Sequence, residues 1–128
     1  MQHFTKLLVW QRSHKLVLAI CNASVGFPKF ELFGLTSQLR RVAASVPTNI
    51  AEGSKRQSET DFSRFLNMAE GSLAEIEYLL MLSRDLGYIQ PPAASRYLKE
   101  VSEILRMLSG LRTTITRGPD ATRGGELN

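Results

Sequence analysis

Apolar residues recur along this chain at steps of three and four, the period of a helix with one buried face, and four such runs follow one another. The first spans Leu7 to Val25, where Leu7, Trp10, His14, Val17, Leu18, Cys21 and Val25 share a face that Leu16 and Ile20 widen. Gly26-Phe27-Pro28 ends it, because glycine caps a helix and proline cannot extend one. The second run begins near Lys29 and carries Leu32, Leu35, Leu39, Val42, Val46 and Ile50, with Gly53 as its stop. Pro47 lies inside it, removing a backbone donor and crowding the carbonyl four residues back, so a kink is expected there.

Ser58 followed by Asp61 has the spacing of a capping box and opens a third, longer helix that reaches Leu86. Phe62, Phe65, Leu66, Ala69, Leu73, Ile76, Leu80 and Ser83 follow one side of it, and Gly87 closes it. Pro91-Pro92 introduces the fourth helix. Leu98, Val101, Leu105, Leu108, Leu111 and Ile115 form its stripe, with Arg96, Lys99, Glu100, Glu103 and Arg106 turned outward. From Gly118-Pro119 the chain becomes polar and glycine-rich, and residues 118–128 are expected to form a flexible tail. No strand alternation or repeat interrupts the pattern. Short connections make neighbouring helices antiparallel, so the expected fold is all-α: an up-down four-helix bundle in one domain, residues 1–117.

A chain of 128 residues can bury about two-thirds of its unfolded surface and needs no disulfide or metal to hold a core. The single cysteine, Cys21, precludes an internal disulfide and a Cys-rich zinc site. Within an apolar helical pattern it is expected to pack as a small buried hydrophobe. The stretch from Leu16 to Phe27, preceded by Arg12 and Lys15, has a superficial likeness to a targeting segment, but Asn22 interrupts it. No run attains the ~18 apolar residues that span a bilayer. A cytoplasmic protein with no membrane role is expected. The net charge of +4 conceals an asymmetry: residues 1–57 hold eight Lys/Arg against two acids, residues 58–128 eight against ten. Such a basic half can meet polyanions, or the acidic half of another copy.

Residues suited to catalysis are present without the partners they need. A carboxylate-bridged di-iron bundle projects Glu-x-x-His pairs inward. The two histidines here, His3 and His14, follow no glutamate at that spacing, and His14 is expected to pack on the apolar face. Glu52, Glu70, Glu75 and Glu77 show no ligand pattern for a cation. Ser45 and Ser72 have no histidine at helical spacing to act as base. Gly34, Gly53 and Gly71 follow no strand, so no phosphate-cradling loop is indicated. Neither an enzyme nor a cofactor is expected.

Two groups of polar residues remain. Arg41, Ser45, Asn49 and Glu52 form a stripe on the second helix, and Asn67, Glu70, Gly71, Ser72 and Glu75 cluster on the third. A mid-helix glycine costs about 1 kcal/mol against alanine, which close approach of another helix would offset. These residues suit a solvated face, a ligand site, or an oligomer interface in which Ser45, Asn49, Glu52, Glu70 and Ser72 bond between subunits and Gly71 admits a neighbour. Basic residues gather as Arg40-Arg41 and Lys55-Arg56, lining an edge about 21 Å long on a straight helix. That edge can contact phosphates without reading sequence, or pair with acids such as Glu59 and Asp61. No helix-turn-helix, arginine-rich arm or aromatic stacking platform is evident.

The strings Phe30-Glu31-Leu32-Phe33-Gly34-Leu35-Thr36-Ser37-Gln38-Leu39-Arg40-Arg41 and Ser45-Val46-Pro47-Thr48-Asn49-Ile50-Ala51-Glu52-Gly53 resemble the bacterial four-helix proteins encoded within intervening sequences of 23S ribosomal RNA genes. Ala69-Glu70-Gly71-Ser72-Leu73-Ala74-Glu75, Leu8-Val9-Trp10-Gln11 and Leu86-Gly87-Tyr88 extend the resemblance over about residues 4–116. It implies a bundle that associates with itself, as a homopentameric ring. The fold is also similar to accessory variability proteins of diversity-generating retroelements, which bind nucleic acid, an analogy of fold alone. The resulting expectation is a non-enzymatic homo-oligomer contacting RNA or another nucleic acid through Arg40, Arg41, Lys55 and Arg56. The alternative is a protein-interaction or assembly scaffold with no nucleic-acid role.

Overall fold

The computed structural model describes residues 3–127, with side chains described as far as Ile115. Four helices account for the fold: α1 (Leu8–Ser24), α2 (Leu35–Ser54), α3 (Glu59–Asp85) and α4 (Pro91–Leu127). Short 3-10 turns at Phe4–Lys6 and Lys29–Glu31 precede α1 and α2. The expected tail, residues 118–128, lies outside the residues whose side chains are described. In the bundle α1 packs on α2 and α4, and α3 packs on the same two helices, with no close backbone approach between α1 and α3. They occupy opposite corners of the square.

The core is a column of fully buried branched residues: Ile20 from α1, Leu39, Val46 and Ile50 from α2, Leu66, Leu73, Ile76 and Leu80 from α3, and Val101, Ile104 and Leu108 from α4. Helix ends follow their local chemistry. The Ser58 hydroxyl accepts from the Asp61 amide at 3.0 Å and caps α3 as the sequence predicts. At the other end Gly87 adopts φ +81°, open to glycine at no steric cost. Its amide bonds to Arg84 O and the Tyr88 amide to Ser83 O, the paired bonds of a Schellman cap.

Helix α2 begins six residues later than the sequence predicts, at Leu35 instead of near Lys29. The intervening segment turns once as a 3-10 helix and leaves Leu32 half exposed, so this residue falls off the apolar stripe. Glu31 Oε1 accepts from the Leu35 amide at 3.3 Å, serving one of the amides that the new helix leaves unpaired. Pro47 lies buried within α2, which continues through it to Ser54. Around the proline three side chains bond carbonyls of their own helix. Ser45 Oγ donates to Val42 O at 2.6 Å, Thr48 Oγ1 to Ala44 O at 2.8 Å and Asn49 Nδ2 to Ser45 O at 2.8 Å.

The buried face of α1 differs from expectation. Val9, Ser13, Leu16, Ile20 and Ser24 point inward, whereas Leu18 and Val25 are exposed, His14 lies on the surface and Cys21 is only half-buried. Two apolar stripes adjoin on this helix, and the buried one includes serines that hydropathy counts as polar. Their hydroxyls bond to their own helix, Ser13 Oγ to Val9 O at 2.7 Å and Ser24 Oγ to Cys21 O at 3.1 Å, which removes most of the burial cost.

Candidate nucleic-acid interface

The end of the bundle where α1 starts, α2 finishes and α3 begins collects cations and aromatic rings. The Lys55 ammonium stands 5.7 Å from the Phe4 ring centroid. The guanidinium groups of Arg56 and Arg64 lie 4.7 and 5.0 Å from the centroid of Phe65. Phe65 is buried, so its ring is a fixed support that holds two exposed arginines near one another despite their repulsion. Arg64 also lies 3.7 Å from Asp61, a surface pair on one helix turn that leaves its charge largely available. Along the flank of α1 the rings of His3, Phe4, Trp10 and His14 adjoin in succession, with centroids 4.4, 5.1 and 5.3 Å apart; the outer two contacts are stacked and Phe4 meets the half-buried Trp10 edge-on. This is an aromatic surface that the sequence did not reveal, because its members are joined across a 3-10 turn.

The predicted basic edge is thereby divided. Lys55 and Arg56 belong to the aromatic end. Arg41, exposed near the start of α2, donates to Ser37 Oγ at 3.4 Å and lines a cleft with Phe33, Gln38, Ser45, Ser72 and Glu75. Arg40 instead turns inward, donating through Nε to Ser24 Oγ at 2.7 Å and through a terminal nitrogen to Cys21 O at 3.3 Å. It ties α2 to the last turn of α1, where a cation also suits the helix dipole. Neither Glu59 nor Asp61 pairs with Arg40, Arg41, Lys55 or Arg56; the ion pair of Asp61 is with Arg64.

Of the polar residues expected between subunits, Ser45, Ser72, Asn49 and Glu70 have hydrogen-bond partners inside this one. Ser45 Oγ, whose own proton goes to Val42 O, accepts from the Ser72 hydroxyl at 2.7 Å, joining α2 to α3. Glu70 takes a bidentate pair from Arg112, with Nε to Oε2 at 2.6 Å and a terminal nitrogen to Oε1 at 3.2 Å, joining α3 to α4. A matching fork at the α1–α4 seam sets Arg12 on Glu100 at 2.8 and 2.9 Å, so Glu100 is not turned outward as expected. Hydrogen bonding to Glu70 and to Glu100 raises Arg112 and Arg12 further above their ordinary values. Asn49 bonds within α2, and Glu52 is exposed. Gly71 lies open, since a Cβ built there meets nothing within 4 Å. Gly53 is the opposite case: a Cβ would stand 2.7 Å from Phe65 Cβ and 2.9 Å from Phe62 Cδ1, so this glycine permits the close crossing of α2 and α3.

Among the described residues no three His, Cys, Asp or Glu side chains gather to hold a metal ion. No described helix is long and apolar enough to cross a membrane.

Residues 5–110 match the family model described as 23S rRNA-intervening sequence protein. The chain is also similar to a solved structure, described as a protein with unknown function from the S23 ribosomal protein family of Bacteroides thetaiotaomicron. The two share 26% identity at a TM-score of 0.74, over 82% of this chain and 98% of that one. No curated protein matches it.

Proposed function

The chain belongs to the 23S rRNA-intervening sequence protein family, and from that premise we propose that it is a non-enzymatic, self-associating bundle that binds RNA or another nucleic acid. The observation that carries this is the aromatic and basic end of the bundle. Lys55, Arg56 and Arg64 offer exposed charge for phosphates, and the adjoining rings of Phe4, Trp10 and His14 offer faces on which unpaired bases stack. Phosphate contacts of this kind give affinity without sequence readout. Arg41 adds a separate contact near the start of α2, whereas Arg40 donates twice inside the fold.

Fluorescence anisotropy of a labelled single-stranded RNA tests the assignment. Replacing Lys55, Arg56 and Arg64 together by glutamine is expected to weaken binding at least 10-fold while the far-ultraviolet circular dichroism stays unchanged. Unaltered affinity in that variant would remove this end of the bundle as the site.

One observation favours a second reading, a scaffold that binds protein. Phe30 and Phe33 are 74% and 94% exposed on the α1–α2 connection. On this reading the purified protein carries no nucleic acid, and substituting both rings by serine abolishes capture of its partner.

A further inference from the structure

The end of the bundle opposite Lys55, Arg56 and Arg64 holds a cleft of about 370 Å3, where α1 runs into its connection and α2 begins. Its walls are apolar, formed by Val25, Phe27, Pro28 and Leu32. Phe27 is buried against Tyr88, with ring centroids 5.4 Å apart, whereas Val25 and Leu32 are 75 and 50% exposed. The charged residues that line the cleft, Lys29 and Arg40, are both cations, and no acid borders it. Small-molecule sites occupy roughly 300–1,000 Å3 and likewise set a few polar groups among apolar walls.

Two polar groups of this cleft lack the partners their positions call for. Arg40 is half-buried, and its bonds to Ser24 Oγ and Cys21 O at 2.7 and 3.3 Å hold the guanidinium in place without neutralising it. Among the described residues no acid forms an ion pair with Arg40, and its second terminal nitrogen has no hydrogen-bond partner. Thr36 is 3% exposed, and among the described residues its hydroxyl is the one buried side-chain polar atom without a hydrogen-bond partner. Buried hydroxyls are unfavourable when unpaired, so an acceptor brought into the cleft gains by meeting it. Threonine in a helix populates two χ1 rotamers, and a turn between them re-aims the hydroxyl. Thr36 also stands in the first turn of α2, where the helix dipole favours negative charge.

We propose that this cleft binds a small monocarboxylate with an apolar body, of the kind of a short branched or aryl acid. The carboxylate accepts from the unpaired terminal nitrogen of Arg40 and from Thr36 Oγ1, with Lys29 adding positive charge at the rim. Guanidinium and carboxylate are both planar, which makes this the strongest class of charged hydrogen bond. The apolar body covers Val25 and Leu32 and packs on Phe27. Free phosphate matches the cations but leaves the walls uncovered, and a neutral apolar molecule leaves Arg40 without a counter-ion. The site uses none of Lys55, Arg56 and Arg64, so it stands or falls independently of nucleic-acid binding.

Titration of the isotopically labelled protein, followed through its backbone amide chemical shifts, tests the assignment. The probes are phenylacetate, isovalerate, phenylacetamide and inorganic phosphate. Phenylacetate and isovalerate are expected to shift the amides of Val25, Phe27, Leu32 and Thr36 saturably. Phenylacetamide keeps the ring and loses the charge, and it is expected to bind at least about 10-fold more weakly than phenylacetate. Thr36→Val preserves the fold and is expected to weaken phenylacetate by about 10-fold, as is Arg40→Gln once circular dichroism verifies that it is folded. No saturable shift at these amides with either acid, equal affinity for acid and amide, or a Thr36→Val variant that binds like the wild type overturns the proposal. Phosphate binding as tight as phenylacetate also overturns it, because the apolar walls would then contribute nothing.

Discussion

Alanine at Gly53 is the most severe test of how α2 and α3 are held together. Carbon atoms in contact sit about 3.5–4.0 Å apart, whereas the new methyl would stand 2.7 Å from Phe65 Cβ and 2.9 Å from a Phe62 ring carbon. The overlap is therefore about 1 Å. Phe65 Cβ is bonded directly to the backbone and cannot swing aside, so the relief must come from parting the helices or shifting the aromatic pair. Overpacking of this kind costs about 1–3 kcal/mol. The gain in helix propensity from glycine to alanine returns at most about 1 kcal/mol, and less in the final turn of α2. The net expectation is a loss of about 1–2 kcal/mol, or roughly 3–12 °C in Tm, from the scaling for domains near this size. Urea titrations followed at 222 nm and fixed protein concentration will measure it. Gly71→Ala is the control, because its methyl meets nothing within the subunit. A Gly53→Ala variant as stable as the wild type would refute the argument from close approach.

Arg40→Gln should lower stability by about 1.5–3 kcal/mol, the range for hydrogen bonds to charged groups, while RNA affinity changes less than 2-fold; a large loss of affinity with unchanged stability would reverse its assignment. Thr36→Val is expected to be neutral or to raise stability by up to about 1 kcal/mol in the same urea titration, because the buried Thr36 hydroxyl has no hydrogen-bond partner. The Tyr88 hydroxyl donates to Glu31 Oε2 at 2.9 Å, and that bond, followed by desolvation and the carboxylate charge, raises its pKa. Its contribution to stability is thus complete below the ordinary tyrosine value of about 10 and is lost as pH rises through the higher folded value. Tyr88→Phe should flatten the stability profile above that pH, and an unchanged profile would show that the bond does not form.

Much of this fold is written locally. Ser58, Gly87 and Pro91 mark helix ends because capping is decided within a few residues, and the four apolar runs follow directly from their period. The face of α1 was harder to place, since Ser13 and Ser24 count as polar in sequence yet are buried once their hydroxyls find carbonyls of the same helix. The site divides along the same line. Lys55 and Arg56 were legible as adjacent charges, but nothing in sequence places Arg64 and Arg56 over one ring or brings Phe4 under Lys55. Arg40 read as a surface cation because its partners, Ser24 and Cys21, lie on another helix. Gly53 read as a stop signal, whereas its contact with Phe65 depends on how two helices cross.

The central claim, that the basic and aromatic end of the bundle binds nucleic acid, is tested most directly by RNA affinity across a salt series. Wild type and the variant with glutamine at Lys55, Arg56 and Arg64 would be compared under identical conditions. Each phosphate contact contributes a slope of about 0.7 in log affinity against log salt for single strands. A log-linear fall is expected for the wild type, with a slope shallower by about 2 in the variant, three contacts at about 0.7 each. Equal slopes, or wild-type binding that ignores salt, would contradict it.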